Sequence, residues 1–408
     1  MSPQVAGMIT EYNPFHLGHE YHITQTRKRL GAETVVAVMS GSFVQRGEPA
    51  VLDKWTRAEN AVLGGVDLVI ELPALFAVSS AEYFASAGVH LLNQLGLVDS
   101  LSFGSESGEI ETLRACAVSV SHLDMNWKSA RKSYPELSYP ALRAKLLSEA
   151  GLTAAESPND ILGVEYIKAI DALEASLQPF TLQRSGHGYH DLTLERARPE
   201  IIYSSASAIR SALLSGAPAE SVAHTVPNHT LAALIRACGH FPNNQKRFEW
   251  LRYRLLLHTP ESLSLIHDME DGLPERILAA AKKAADYEAL VDAIKSKRYT
   301  RSRIERVLAK ILLEIPETQI GRNRDILPAY IRVLAFNDRG RALLKKAGNT
   351  SGLPILTKVT PNDLKRPVIG DQLRFDLRAT DLRDMLCGRS EAARDLTHPP
   401  VYVRSFIS

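Results

Sequence analysis

The sequence predicts an α/β fold: a doubly wound, Rossmann-like parallel sheet followed by a mainly α-helical part. Three observations lead there. Short β-branched apolar runs alternate with amphipathic stretches through the first third of the chain. Strand–helix–strand repetition at that spacing implies parallel pairing through right-handed crossovers. After Gly216-Ala217-Pro218 the strand-like runs almost vanish and helical periodicity takes over. A chain of 408 residues is longer than most single cores, so two domains are expected. The change of texture places them at 1–216 and 217–408.

The elements follow in order. Residues 5–9 read as the first strand and residues 20–30 as the first helix. The run 34–39 is continuous and apolar, as a strand buried on both faces should be. Asp53 is a natural N-cap for a helix through Lys54, Trp55, Arg57 and Ala61, which Gly64-Gly65 ends. Residues 66–73 form a third strand stopped by Pro73. Residues 80–95 form a helix closed by Gly96, and 98–103 a fourth strand running into Gly104-Ser105-Glu106. Ser157-Pro158-Asn159-Asp160 is a cap-like helix start, and 180–183 is expected to be the last strand. Helices are expected around 250–257, 277–290 and 304–315. The stretch 361–408 mixes charge, proline and short apolar pieces, and reads only as a tail packed on the other domain.

Composition narrows the function classes. Apolar content of 45% and charged content of 23% are those of an ordinary globular protein. A net charge of +2 means that any nucleic-acid surface must come from local clustering. Cys116, Cys238 and Cys387 form no CxxC pair, which argues against a disulfide frame or a cysteine zinc site. No stretch reaches about 18 uninterrupted apolar residues, and the start lacks a basic region with a long apolar run. A cytoplasmic protein that does not span a membrane is expected.

The chemistry concentrates in Glu11-Tyr12-Asn13-Pro14-Phe15-His16-Leu17-Gly18-His19. A strand, a tight loop and a helix start in that order predict an anion site. The first helical amides lack internal partners and the helix dipole favours negative charge there. Pro14 stiffens the loop and Gly18 removes a side chain where a ligand must approach. His16 and His19 project from one turn. The pattern resembles the HxGH signature of nucleotidyltransferases and class I synthetases, which direct attack on the α-phosphate of ATP. A packing role, or a zinc pair completed by Glu11 or His22, is the bland reading. On the same strand edge, Arg184-Ser185-Gly186-His187-Gly188 is rich in donors. Ser204 and Ser205 open a further helix with Arg210 one turn in, a pattern that suits a polyphosphate but also an ordinary serine cap.

A second constellation lies far along the chain. Lys295, Lys297, Arg298, Arg301, Arg303, Arg306 and Lys310 fall in one helix-sized segment around Tyr299, opposed within it only by Glu305. Clustered cations gain affinity for a phosphate backbone by releasing counterions, and an aromatic among them can stack on a base. The opposing reading is a solvated helix face.

Taken together, the first loop, Met39 to Pro49 with its Gln45-Arg46-Gly47-Glu48-Pro49 block, Asp67 to Pro73, Phe103-Gly104-Ser105-Glu106, Ser157-Pro158-Asn159 and Lys297-Arg298-Tyr299-Thr300-Arg301 resemble, in order, the bacterial tRNA(Met) cytidine acetate ligase family. The resemblance implies an HUP-type nucleotidyltransferase sheet and a two-step reaction. Acetate attacks the α-phosphate of ATP to give acetyl-adenylate, and the wobble cytidine of elongator tRNA(Met) then takes the acetyl group. It implies ATP contacts at Ile9, Thr10, Glu11, Tyr12, Asn13, Pro14, Phe15, His16, Leu17, Gly18, His19, Glu20, Tyr21 and His22, and at Gly104, Asn159 and Arg184. His16 and His19 would be catalytic, stabilising charge at the α-phosphate. Ser185, Ser205, Arg210, Gln45 and Arg46 are candidate phosphate or substrate contacts. The basic segment would bind tRNA, and Mg²⁺ is expected on the polyphosphate although no carboxylate cage is obvious. One departure stands out. Related small-molecule enzymes carry an aspartate near Asn13, and an amide is no general base. A small-molecule adenylyltransferase of the pantetheine or nicotinamide type is the alternative.

Overall fold

The computed structural model describes residues 4–134, 137, 139–152, 157–184, 205–320 and 326–404. Five strands, β1 (Gln4–Thr10), β2 (Ala32–Ser40), β3 (Leu68–Leu72), β4 (Ser100–Ser105) and β5 (Gln178–Gln183), pair in parallel. They stand in the order β5-β4-β1-β2-β3 with crossover helices between them. Val35, Val36, Ala37, Val38 and Met39 are wholly buried, so helices cover both faces of β2, as its unbroken apolar run requires. The first helix is Leu17–Leu30, three residues longer at its start than expected, because His16 itself is the N-cap. Asp53 caps the helix Lys54–Leu63 as expected, accepting from Thr56 N at 3.0 Å.

Three expectations need correction. β5 is not the last strand: β6 (Ile331–Phe336) joins β3 antiparallel, and β7 (Ile355–Leu356) and β8 (Val401–Tyr402) pair with β6. The stretch 217–408 is therefore not one helical unit. Residues 248–312 have their own apolar core, with Leu251, Ile277, Leu290 and Val307 at its centre, while 331–402 return to the sheet. The stretch 361–408 is more than a tail, since it holds the helix Ile369–Leu386 and β8.

The physical reason is the edge of β3. An open strand edge needs a partner, and here it carries a buried carboxylate besides. Glu71 accepts from Lys54 Nζ at 2.7 Å, and Lys54 also reaches Asp395 at 2.5 Å. Arg332 on β6 bridges the same two acids. β6 is an apolar run of six residues and β7 and β8 are only two residues each, yet β6 covers the edge of β3, β7 and β8 extend it, and Arg332 helps neutralise the carboxylate there.

Candidate active site

β1 ends at Thr10 and the chain turns through residues 11–16 into the helix Leu17–Leu30. Tyr12 adopts the left-handed region at φ 45°, a conformation a non-glycine residue keeps only where its surroundings impose it. The surroundings do so: Tyr12 and Phe15 are buried and meet edge to face at 5.0 Å. Ile9 packs against Gly88, where a Cβ would come within 2.6 Å of it.

The two histidines form a reciprocal cap. His16 Nδ1 accepts from Gly18 N at 3.1 Å, and His19 Nδ1 accepts from His16 N at 3.2 Å. An accepting Nδ1 places the ring proton on Nε2. Each imidazole therefore points an Nε2–H donor away from the backbone. The rings stack with centroids 3.7 Å apart, and Tyr12 and Phe15 brace His19 from the side.

This pairing changes the anion site that the sequence predicts. The leading amides are not free: Leu17 N bonds to Thr225 O at 3.0 Å, Gly18 N to His16, and His19 N to His16 O at 2.9 Å. The amides of His16 and Gly18 are spent on holding the two rings, which leaves the imidazole Nε2–H groups as the donors at this helix start.

The charges agree with that role. Burial, then the nearby guanidiniums of Arg184 and Arg210, pushes His16 down to about 3. His19 is also held well below its usual range, by burial, His16 and Arg184. His22, whose Nε2 lies 3.1 Å from Ser102 Oγ, falls to about 4 through burial and Arg184. Without a ligand all three are neutral near pH 7, and an arriving phosphate would favour their charged forms.

Arg184 follows β5 and its stem crosses Gly104, where an added Cβ would sit 3.2 Å from Arg184 Cγ. An alanine at Gly104 would make that stem shift by a few tenths of an ångström. Asn159 donates to Glu106 Oε1 at 2.6 Å, and Glu106 Oε2 accepts from Asp160 N at 3.1 Å. Asp160 in turn accepts from Glu106 N and Ser107 N. This exchange locks the 104–107 turn to the start of the helix Pro158–Ala172.

The remaining candidates divide. Arg210 donates to Asn13 O at 2.9 Å and to Glu48 at 3.1 Å. It is mainly a strut between the histidine loop and the Glu48 turn. Ser205 caps its own helix, accepting from Ala208 N. Gln45 is structural: its amide donates to Glu11 Oε1 at 2.8 Å and its side chain to Ser79 O. Arg46 faces a cavity between its own turn and the helical core. Asn13 is buried and takes Val51 N at 2.9 Å, so the amide standing where an aspartate was the alternative ties two loops together. Glu20, Tyr21 and His22 continue along the first turns of the helix. Ser185 and Ser204 lie outside the described residues. Among the described residues no group of three His, Cys, Asp or Glu side chains could hold a metal ion, so Glu11 and His22 do not complete a zinc site.

The basic segment is largely spoken for. Arg301, at the start of the helix Arg301–Leu313, meets Glu288, Asp292 and Glu305. Arg303 meets Asp268 and Glu270, and Arg298 also reaches Glu270. Lys310 is buried against His267 at 2.8 Å, and Arg306 is buried enough to lower its pKa. Tyr299 is buried beneath Arg298 and Arg303, so its ring is not an exposed stacking platform. Lys295 and Lys297 remain exposed. Sequence proximity showed the cations; apart from Glu305 on the same helix, the acids that pair with them come from the preceding helix (Glu288, Asp292) and from the loop before Leu273 (Asp268, Glu270).

Arg57 is a positioning residue whose contacts the sequence alone conceals. Wholly buried, it donates to the carbonyls of Glu11, Ser40, Gly41 and Leu52 and gathers the ends of β1 and β2. Thr225 is another, since its carbonyl holds the first helical amide from beyond residue 216. No local pattern marks either one.

Comparison with known proteins matches the chain along nearly its whole length. The profile of the HIGH Nucleotidyl Transferase family matches residues 3–397. A tRNA(Met) cytidine acetate ligase of Clostridium novyi is 36% identical over 98% of this chain and 100% of its own. The chain belongs to that ligase family. The ligase from Syntrophotalea carbinolica is 39% identical, covering 99% of this chain and 100% of its own. The apo crystal structure of Thermotoga maritima TmcAL superposes with a TM-score of 0.91 at 32% identity, over 98% of this chain and 100% of that one. The same protein bound with alpha-thio ATP gives 0.89 at 31% identity, with the same coverage. The match spans the returning strands as well as the parallel sheet, so the family resemblance is one of the whole chain.

Proposed function

We propose that this protein activates acetate with ATP and acetylates the wobble cytidine of elongator tRNA(Met). One observation carries the reading: two stacked histidines aim Nε2–H donors from a helix start beside Arg184, in a chain related to tRNA(Met) cytidine acetate ligases from end to end.

In the first step an acetate oxygen bonds to the α-phosphorus as the bond to the β-phosphate oxygen breaks and pyrophosphate leaves. His16 and His19 donate to the α-phosphate oxygens as charge grows there, a preorganised electrostatic role. Arg184 holds phosphate. Asn159, its amide nitrogen engaged by Glu106, offers its side-chain oxygen to the adenine amine. Glu11 and Glu48 already hold Gln45 N and Arg210, so Mg²⁺ entering with ATP would be ligated chiefly by phosphate oxygens and water. In the second step the cytidine N4 bonds to the acetyl carbon, the carbon–oxygen bond to AMP breaks, and N4 loses a proton.

Residues 1–216 supply the ATP site in this scheme and the helical core at 248–312 faces the tRNA, with Lys295 and Lys297 as the exposed lysines of the basic segment. Arg298, Tyr299, Arg301, Arg303 and Arg306 would shape that surface rather than meet phosphate. Among the described residues no helix is long and apolar enough to cross a membrane, and cytoplasmic chemistry fits the three free cysteines. The relatives do not favour the small-molecule adenylyltransferase reading.

The test is pyrophosphate–ATP exchange by the purified protein, followed by mass spectrometry of the tRNA. Exchange should depend on acetate, and N4-acetylcytidine should appear at the wobble position. Exchange driven by an amino acid, or by a phosphorylated small acceptor in place of acetate, would sink the proposal.

A further inference from the structure

Acetyl transfer needs a group that accepts the proton of the attacking amine, and the paired histidines are not it. His16 Nδ1 and His19 Nδ1 each take a backbone amide proton, and their Nε2 atoms carry the ring protons. Neither ring has a free lone pair. His22 is turned to Ser102 Oγ at 3.1 Å, and Asn13 is an amide tied to Val51 N at 2.9 Å.

Glu11 is placed differently. It follows the last residue of β1, at the carboxyl edge of the sheet where ligands of such sheets sit, and it is half-buried. Its Oε1 accepts from Gln45 N at 2.8 Å, and Arg57 donates to its backbone carbonyl at 2.6 Å. Side chain and backbone are thus both anchored. Oε2 takes no hydrogen bond among the described residues, and it is not closed off from solvent. An anchored carboxylate with one open oxygen can receive a proton from an incoming group. The other carboxylates of this edge are committed. Glu106 and Asp160 lock one turn together, Glu48 pairs with Arg210, and Glu20 lies towards His229.

The surroundings suit a base. Burial lifts the Glu11 pKa above the ordinary 4.5 and Glu48 adds to that, while Gln45 N, Arg210 and Arg46 pull the other way. Tyr166, from the helix Pro158–Ala172, also feels the Glu11 charge and stays a neutral phenol. A raised pKa brings a carboxylate closer to the operating pH, where general bases work best. Arg210 acts on the His16 ring as well, so the Glu11 carboxylate and the α-phosphate donors lie within reach of one guanidinium. We propose that Glu11 is the general base of acetyl transfer: as the cytidine N4 bonds to the acetyl carbon and the carbon–oxygen bond to AMP breaks, the N4 proton passes to Glu11 Oε2. Glu11 then gives that proton to water. The proposal rests on the ligase reading above.

Glu11→Gln tests it, since the amide keeps the length and can still accept from Gln45 N but takes up no proton. With preformed acetyl-adenylate and an elongator tRNA(Met) transcript, single-turnover transfer should fall about 10²–10⁴-fold, the usual contribution of a general base. Acetate-dependent exchange moves no N4 proton and should fall far less. Wild-type transfer should slow as pH drops through the Glu11 pKa, and that acid limb should be missing from Glu11→Gln. Glu11→Asp, which keeps a carboxylate, should restore the limb and part of the rate. Equal losses of exchange and transfer, or a higher Mg²⁺ requirement for exchange, would overturn the base and make Glu11 an ATP or metal contact. Wild-type transfer that stays flat as the pH is lowered would overturn it too, even if Glu11→Gln fails to fold. Each of these results, with the wild type active, leaves the ligase reading standing. A wild type with no acetate-dependent exchange or no transfer to tRNA overturns both.

Discussion

The histidine loop and the segment 295–310 look alike in sequence, each a dense patch of polar and basic side chains, and they end in opposite states. In the loop the backbone is satisfied by the side chains, and the side chains keep a donor to offer: His16 and His19 take amide protons on Nδ1 and present Nε2–H. In the basic segment most side chains are spent on protein partners, as Arg301 is on three acids and Arg303 on two. A concentration of polar residues marks a site only where polar atoms are left over. Paired surface ions contribute little to stability, and they have correspondingly less charge to lend an incoming phosphate.

The strongest way to break this contrast is to remove a histidine. His16→Ala or His19→Ala should lower acetate-dependent exchange by about 10²–10³ in rate, the scale of losing one preorganised donor, while tRNA binding stays close to wild type. Filter binding beside the exchange assay separates the two. Lost tRNA binding in a folded variant would mean that the loop is not an ATP site alone.

Charge reversal sharpens the other half. Lys295→Glu with Lys297→Glu should weaken tRNA binding and reduce the salt slope by about 0.7–0.9 for each phosphate that is no longer neutralised. Arg298→Glu with Arg301→Glu should change it less, because those guanidiniums already face Glu270, Glu288 and Glu305. Equal slopes for the two double variants would show that the ion pairs open on binding.

The smallest effect concerns pH. His16 sits at about 3 when folded, against an ordinary 6.5, so below about pH 6.5 the unfolded chain takes up a proton that the native site refuses. Its contribution to stability is complete above that pH and is lost as pH falls towards 3, at up to about 1.4 kcal/mol per unit. Melting temperatures from pH 7.5 down to 5, compared with His16→Asn, should show the shallower decline in the variant. Parallel curves would mean that His16 is protonated in the native state.

Much of the site was open to sequence reading because its parts are local. The strand, turn and helix around His16 are neighbours in the chain, and the β-branched period of β2 needs no distant information. Asp53 announced its helix by the same logic. What misled was also local: the leading amides of the helix look free until Thr225, two hundred positions away, is seen to hold one of them.

By itself the sequence determined the parallel half of the sheet, the histidine pair and the family, since each rests on residues close together or on an ordered set of motifs. Only the tertiary structure decided which charges are free, how β6, β7 and β8 close the edge of β3, and that Arg57 gathers the strand ends. It also brought the Glu48 turn against Arg247 and Tyr287. The physical reason is common to all of these. Periodicity reports which face of an element is buried, whereas neutralisation, edge pairing and cavities depend on what lies across the contact, and a linear pattern carries no record of that partner.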